Sequence, residues 1–182
     1  TIASHLPKAV GAAYSIGLAK HPDVNDRVLD DDGIVVCSFG DASANHSTAQ
    51  GAINTACWTA YQRVAMPLLF VCEDNGLGIS VPTPAGWIAA NFSQKPSLTY
   101  FACDGTDLAD ALSVAQQAAD HVRKSRKPAF LHIRTVRLFG HAGSDVEGVY
   151  RAKPEIEADE ADDPLVKSAA YLTAHFGISG AD

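Results

Sequence analysis

A chain of 182 residues, 47% hydrophobic and with mean hydropathy near zero, has the length and composition of one globular domain, burying about 70% of the surface its unfolded form exposes. A formal net charge of −7 weighs against nucleic acid and anionic membranes as partners, because neither attracts an acidic surface. No apolar run approaches the roughly 20 residues of a membrane crossing, and no secretory signal opens the chain, so a cytoplasmic protein is expected.

Pro7 near a helix start, followed by Leu6, Val10, Ala13, Tyr14, Gly17 and Leu18, predicts an amphipathic first helix that His21-Pro22 stops. Asp23 to Gly33 reads as a polar surface loop. Ile34 to Phe39 is a β-branched run short enough for a buried strand, and Gly40 breaks it. Asp41 then delivers a carboxylate at the strand's carboxyl end. Ser47 with Gln50 three residues on forms a capping-box pattern, and Ile53, Ala56, Cys57, Ala60 and Val64 recur at helical spacing behind it. Pro67 opens a second buried run, Leu68 to Cys72, which ends in Glu73-Asp74-Asn75-Gly76-Leu77-Gly78. Two successive strand ends thus present a hard oxygen donor each, Asp41 and Asn75.

Val81 to Ser97 holds Pro82, Pro84 and Pro96 and reads as a long loop with one helical turn near Trp87. Leu98 to Ala102 is a third strand candidate. Asp107 caps a helix carrying Leu108, Ala111, Leu112, Ala115, Ala119 and Val122, ended by Pro128. Ala129 to Thr135 makes a fourth strand. Alternating strands and helices predict a doubly wound parallel α/β sheet. From Gly140 the character changes: glycines first, then an acidic surface segment over 145–163, then a C-terminal helix over 164–177. Cys37, Cys57, Cys72 and Cys103 show no Cys-x-x-Cys spacing and read as buried, reduced thiols. A first residue other than Met suggests a piece of a longer protein.

In open parallel sheets, ligands sit outside the carboxyl ends of the strands. A helix N-terminus there suits phosphate, and oxygen donors beside it suit Mg²⁺, which shares its octahedral coordination with phosphates. The bland alternative for Asp41 is a simple helix cap. A nucleotide-binding α/β module is the rival for the whole segment, although no Gly-x-Gly-x-x-Gly follows the first strand and no Walker lysine is present.

Gly40-Asp41 followed by Asn75 resembles the thiamine-diphosphate motif of the 2-oxoacid dehydrogenases, and specifically the α subunit of their decarboxylating first component. Two further stretches are similar to that family. Ser4 to Ala13 resembles its turn and helix before the glycine motif, and Gly140-His141-Ala142-Gly143-Ser144-Asp145 with Tyr150-Arg151 resembles its histidine loop. Ala42 stands where the family's third motif residue is glycine, and Asp74 where it has a first asparagine. The resemblance implies thiamine diphosphate with Mg²⁺ as cofactors. It implies Asp41, Asn75 and the carbonyl of Leu77 as metal ligands, and Gly40, Ala42 and Ser43 around the diphosphate. Ile79 would support the bent cofactor, although it also reads as a core residue, and the backbone of Ile2 would meet the aminopyrimidine. His141 would be an active-site histidine, able to move a proton near neutral pH. His5 would face the cofactor pocket, or else serve the helix start.

The implied reaction is oxidative decarboxylation of a 2-oxo acid, a branched-chain 2-oxo acid or pyruvate, with acyl transfer to a lipoyl acyltransferase component. Residues 1–182 would form the diphosphate-binding domain alone. The glutamate that activates the cofactor in the family belongs to a pyrimidine-binding domain or β subunit, so an oligomer is implied and an isolated chain would be inactive. Acetoin-cleaving and transketolase-like thiamine-diphosphate enzymes are the alternatives within the same chemistry.

Overall fold

The computed structural model describes residues 2–18, 30 and 32–177; the expected helix stop at His21-Pro22 and most of the 23–33 loop lie outside them. Helix α1, His5–Leu18, buries Leu6, Val10, Ala13 and Ile16. Its buried stripe is narrower than the sequence suggested, and Tyr14 and Leu18 stay exposed on its flanks. Strand β1, Val35–Gly40, runs directly into a four-residue helix α2, Asp41–Ala44, which no periodicity announced. Helix α3, Ser47–Tyr61, follows. Its N-cap is His46 rather than Ser47: the His46 Nδ1 accepts from the Thr48 N–H at 3.1 Å. Gln50 forms no capping box, because its amide donates to the Ala44 carbonyl at 2.8 Å and so ties α3 back to α2. Val64 falls beyond the helix end and is exposed.

Strand β2, Leu68–Asp74, is followed by a small antiparallel hairpin, β3 Leu77–Gly78 with β4 Val81–Pro82. Helix α4, Trp87–Phe92, buries Ile88 and Phe92, so the segment expected as a proline-rich loop is anchored to the core at two points. Strand β5, Thr99–Asp104, leads to α5, Leu108–Ser125, capped by Asp107 through the amides of Ala109 and Asp110. Leu112 is exposed; α5 meets the sheet through small residues, with Ala118 and Val122 fully buried. Strand β6, Ala129–Arg134, closes the sheet. The acidic segment then folds into a 3₁₀ turn, Glu147–Val149, and helix α6, Lys153–Ala161, before helix α7, Pro164–Phe176, which Asp163 caps.

The sheet is parallel, in the order β1-β2-β6-β5, the α/β arrangement that the alternating pattern predicts. Helices α1, α3 and α4 bury one face around Phe39, Phe70 and Phe130, where Phe92 stacks on Phe130 at 4.4 Å. Helix α5 covers the other face over Leu69, Leu131 and Cys103. All four cysteines are free and buried, and burial pushes their thiols above the ordinary value, which leaves them unreactive. No helix among the described residues is long and apolar enough to cross a membrane.

Candidate functional site

The parallel register sets Gly40 beside Glu73, so the carboxyl ends of β1 and β2 open side by side. Asp41 sits at this edge and is only 4% exposed. It caps neither helix behind it: the α2 N-cap is Gly40 and the α3 N-cap is His46. Instead its Oδ2 accepts from the Thr83 hydroxyl, across from the hairpin. Burial pushes the Asp41 carboxyl above its ordinary pKa; the Thr83 bond opposes this, and the neighbouring Asp74 charge adds to it. No cation among the described residues offsets that charge. A buried carboxylate beside a like charge is costly until a positive ion joins it.

Two consecutive side chains shape the next turn. Asp74 Oδ1 accepts from the Gly76 N–H and Asn75 Oδ1 from the Leu77 N–H, both at 3.0 Å. Thr83 donates its own N–H to the Gly76 carbonyl at 2.8 Å. Leu77 faces Pro82 in the hairpin, and proline has no N–H to give, so the Leu77 carbonyl is not consumed by its ladder partner. The hairpin lies tightly on α2: a Cβ on Gly78 would stand 2.9 Å from the Ala42 Cβ. Ala42 itself lies in α2 with ordinary negative φ, so alanine serves where the related motif has glycine.

Ile79 follows at φ +60 and is 49% exposed. It is therefore not a core residue. A β-branched side chain in the left-handed region is a true outlier, costing on the order of 1–3 kcal/mol, and such strain gathers at binding sites. Arg137 holds it there, donating from Nη1 to the Ile79 carbonyl at 2.6 Å.

The same arginine reaches the histidine loop. Its Nη2 donates to Tyr150 Oη at 2.6 Å and to Glu147 at 3.2 Å. The Tyr150 hydroxyl donates in turn to Asp145 at 2.6 Å, and Asp145 also accepts from the His141 backbone N–H at 2.7 Å. Arg151 binds Glu147 at 2.6 Å and Asp159 at 2.7 Å. Asp145 is held below its ordinary pKa, first by the Tyr150 hydroxyl and then by the His141 amide. Burial works against ionising Glu147, but Arg151 and Arg137 outweigh it and hold its pKa low. Asp145 thus fixes the loop and His141 is left free to face outward. Gly140 permits the closure, since a Cβ there would meet the Asp145 carbonyl at 2.7 Å.

These elements line an open cavity of about 590 Å³, formed by Ile2, Gly40, Asp41, Ala42, Ser43, Asn45, His46, Asn75, Leu77, Gly78, Ile79, Arg137 and His141. The structure therefore brings Ile2, Gly40, Asp41, Ala42, Ser43, Asn75, Leu77, Ile79 and His141 to one place. His5 stands apart from this group, in the helix-start role that the sequence also allowed. It opens α1, its Nε2 lies 2.8 Å from the Ser38 carbonyl, and it does not line the cavity. A smaller cavity of about 420 Å³ adjoins, sharing Asp41, Ala42, Asn45 and Gly78 and adding Asp74, Thr83 and Trp87. Sequence reasoning missed Asn45, His46, Arg137 and Thr83. Arg137 carried a signal, a lone cation in the apolar run Val136 to Phe139 just before the glycine of the loop; Thr83 carried none.

Among the described residues no three His, Cys, Asp or Glu side chains cluster as a metal centre. The donor set on offer is one carboxylate, one side-chain amide and one backbone carbonyl, all oxygen. That set fits a hard cation completing its shell with phosphate oxygens, and it does not fit zinc.

A sequence model of the family described as dehydrogenase E1 component matches residues 4–179. The chain is 30% identical over 176 residues to the 2-oxoisovalerate dehydrogenase subunit alpha, mitochondrial, of Caenorhabditis elegans, covering 94% of this chain and 37% of the relative. It is 28% identical over 179 residues to subunit alpha 2 of the corresponding mitochondrial enzyme of Arabidopsis thaliana (96% of this chain, 35% of the relative). The Bacillus subtilis 2-oxoisovalerate dehydrogenase subunit alpha is 27% identical over 177 residues (94% and 48%). The chain thus spans between about a third and a half of the length of these curated relatives.

Proposed function

Because this chain belongs to the dehydrogenase E1 component family, we propose that it is the diphosphate- and cation-binding part of a thiamine-diphosphate-dependent 2-oxoacid dehydrogenase. The observation that carries the proposal is the single cavity that gathers the oxygen donors of two strand ends, the strained Ile79 and the histidine loop. The names of the relatives favour a branched-chain 2-oxo acid over pyruvate, and the family match favours this chemistry over acetoin cleavage, a transketolase-like reaction or a nucleotide module.

In this reading Asp41, Asn75 and the Leu77 carbonyl hold Mg²⁺, and the amides of Ala42 and Ser43 meet the diphosphate. When bound, thiamine diphosphate supplies the carbon nucleophile and electron sink that decarboxylation needs. The chain's own residues bind and orient. Ile79 would support the bent cofactor, the backbone of Ile2 would meet its aminopyrimidine, and His141 would offer an imidazole to donate or accept a proton. Residues 1–182 would act as one domain of a longer protein, with 145–163 bracing the histidine loop from the surface and the helix at 164–177 following it. The remaining wall, with the group that activates the cofactor, comes from a pyrimidine-binding domain or β subunit of an oligomer, and acyl transfer goes to a lipoyl acyltransferase component. A cytoplasmic location belongs to the same proposal. It rests on the Bacillus relative, whose printed name carries no organelle, whereas the worm and plant names are mitochondrial.

The test is an assay of the complete enzyme and of the 1–182 chain with Mg²⁺, thiamine diphosphate, a panel of 2-oxo acids and an artificial electron acceptor. The complete enzyme should turn over branched-chain 2-oxo acids, and the isolated chain none. Sustained turnover by 1–182 alone, linear in its concentration, contradicts the division of labour.

A further inference from the structure

A chain of three polar side chains, on β5, β6 and β2, runs across the sheet to the cation-binding turn, and only its last member, Asp74, lines a cavity. The Tyr100 hydroxyl lies 2.6 Å from His132 Nδ1, and His132 Nε2 lies 2.8 Å from Asp74 Oδ2. Asp74 spends its other oxygen, Oδ1, on the Gly76 N–H at 3.0 Å. Both oxygens are therefore committed: one to the turn that carries Asn75 and Leu77, the other to His132.

The chain is anchored at its far end. Tyr100 stacks on Phe130 with ring centroids 6.0 Å apart, and Phe130 stacks on Phe92. The side chains of His132 and Asp74 are 17% and 23% exposed, so their geometry is set by the protein rather than by water. Burial pushes the Tyr100 hydroxyl up to about 12, and it keeps its proton throughout the working range. With the Tyr100 hydroxyl donating to Nδ1, the ring's Nε2–H is the donor to Asp74.

We propose that Tyr100 and His132 are positioning residues that act through Asp74 on the cation-binding turn. The inference rests on reading Asp41, Asn75 and Leu77 as that cation's ligands. Neither Tyr100 nor His132 lines the two cavities, and their hydrogen-bonded route to the cation-binding turn passes through Asp74. Asp74 bears on the site by clamping the 74–77 turn, through the Gly76 N–H. Partners that orient metal ligands from behind typically carry about 10–100-fold in metal affinity. A mere seal at the end of the sheet carries none.

The experiment titrates Mg²⁺ into the metal-free complete enzyme at fixed thiamine diphosphate, following tryptophan fluorescence, since Trp87 lines the adjoining cavity; melting temperature is recorded alongside. His132→Leu should weaken Mg²⁺ binding by about tenfold or more. His132→Gln keeps an N–H toward Asp74 and a carbonyl toward Tyr100, and should restore affinity to within about threefold of wild type. Tyr100→Phe keeps the ring stack and loses only the hydroxyl, and should cost a few-fold. If His132→Leu does not fold, Tyr100→Phe carries the test, and unchanged affinity there overturns the inference. A Mg²⁺-dependent wild type with an unaffected His132→Leu, or a glutamine variant no better than leucine, overturns this inference alone. Thiamine-diphosphate binding that ignores Mg²⁺ in the wild type overturns the site reading, and this inference with it.

Discussion

The two walls of the main cavity hold their carboxylates in opposite states. At the strand ends Asp41 is buried with a hydroxyl and a like charge for company, and its pKa is pushed up. In the histidine loop Asp145 and Glu147 are tied to Tyr150, Arg137 and Arg151, and theirs are pulled down. A carboxylate whose charge is already answered is scaffolding, because it has little to gain from a newcomer. One that is buried and unanswered is where a cation gains most. The contrast supports the proposal that the strand-end wall binds the cation and the loop wall positions the histidine.

The sharpest way to break this contrast is at Asp41. Asp41→Ala should weaken Mg²⁺-dependent cofactor binding by about 100-fold or more, since a direct ligand is lost along with its charge. Asp41→Asn separates binding from folding. Folding raises the Asp41 pKa, so ionisation as the pH climbs through that raised value costs stability. At pH 7 the asparagine variant should therefore melt higher than the cofactor-free wild type, by about 1 kcal/mol or roughly 2–4 °C, while Mg²⁺ and cofactor no longer stabilise it. A lower melting point for the variant would mean that Asp41 is structural.

A smaller effect is expected at the loop. Tyr150→Phe removes the bond to Asp145 and the acceptor for Arg137. Turnover by the complete enzyme should fall about tenfold, in the range of lost positioning contacts, with cofactor affinity changed by less. Equal losses in both would erase the distinction between the walls. Ile79→Gly relieves a strained backbone of about 1–3 kcal/mol, so the cofactor-free protein should keep or gain stability while cofactor binding weakens a few-fold. The smallest effect is predicted at His5. His5→Leu loses one bond to the Ser38 carbonyl, worth about 1 kcal/mol, and should leave cofactor affinity within about twofold of wild type; a loss of turnover at full cofactor occupancy would return His5 to the site.

Much of this was readable in advance because it is written in period and order. Apolar runs located β1, β2, β5 and β6, and the Gly40–Asp41 and Asn75 positions fell at strand ends as expected. What escaped depends on pairs distant in sequence. Thr83 meets Asp41 from 42 positions away and Arg137 meets Ile79 from 58, and no periodicity encodes either. The α2 turn is too short to show a helical repeat. His46 took the cap from Ser47 because its ring nitrogen reached the Thr48 amide, a role that residue preference gives to serine. For His5 the sequence left two roles open, and the ring takes a bond to the β1 backbone at the helix start, a choice that residue spacing does not decide.

In the proposed site Asp41 and its neighbours hold a cation that in turn holds a diphosphate. Isothermal titration of thiamine diphosphate into the metal-stripped complete enzyme, with Mg²⁺, with chelator, and with ADP in place of the cofactor, measures that linkage. Saturable binding of thiamine diphosphate that appears only with Mg²⁺, is absent with ADP and disappears in Asp41→Ala is the predicted result. Binding of equal strength in chelator, or a preference for ADP, would contradict it.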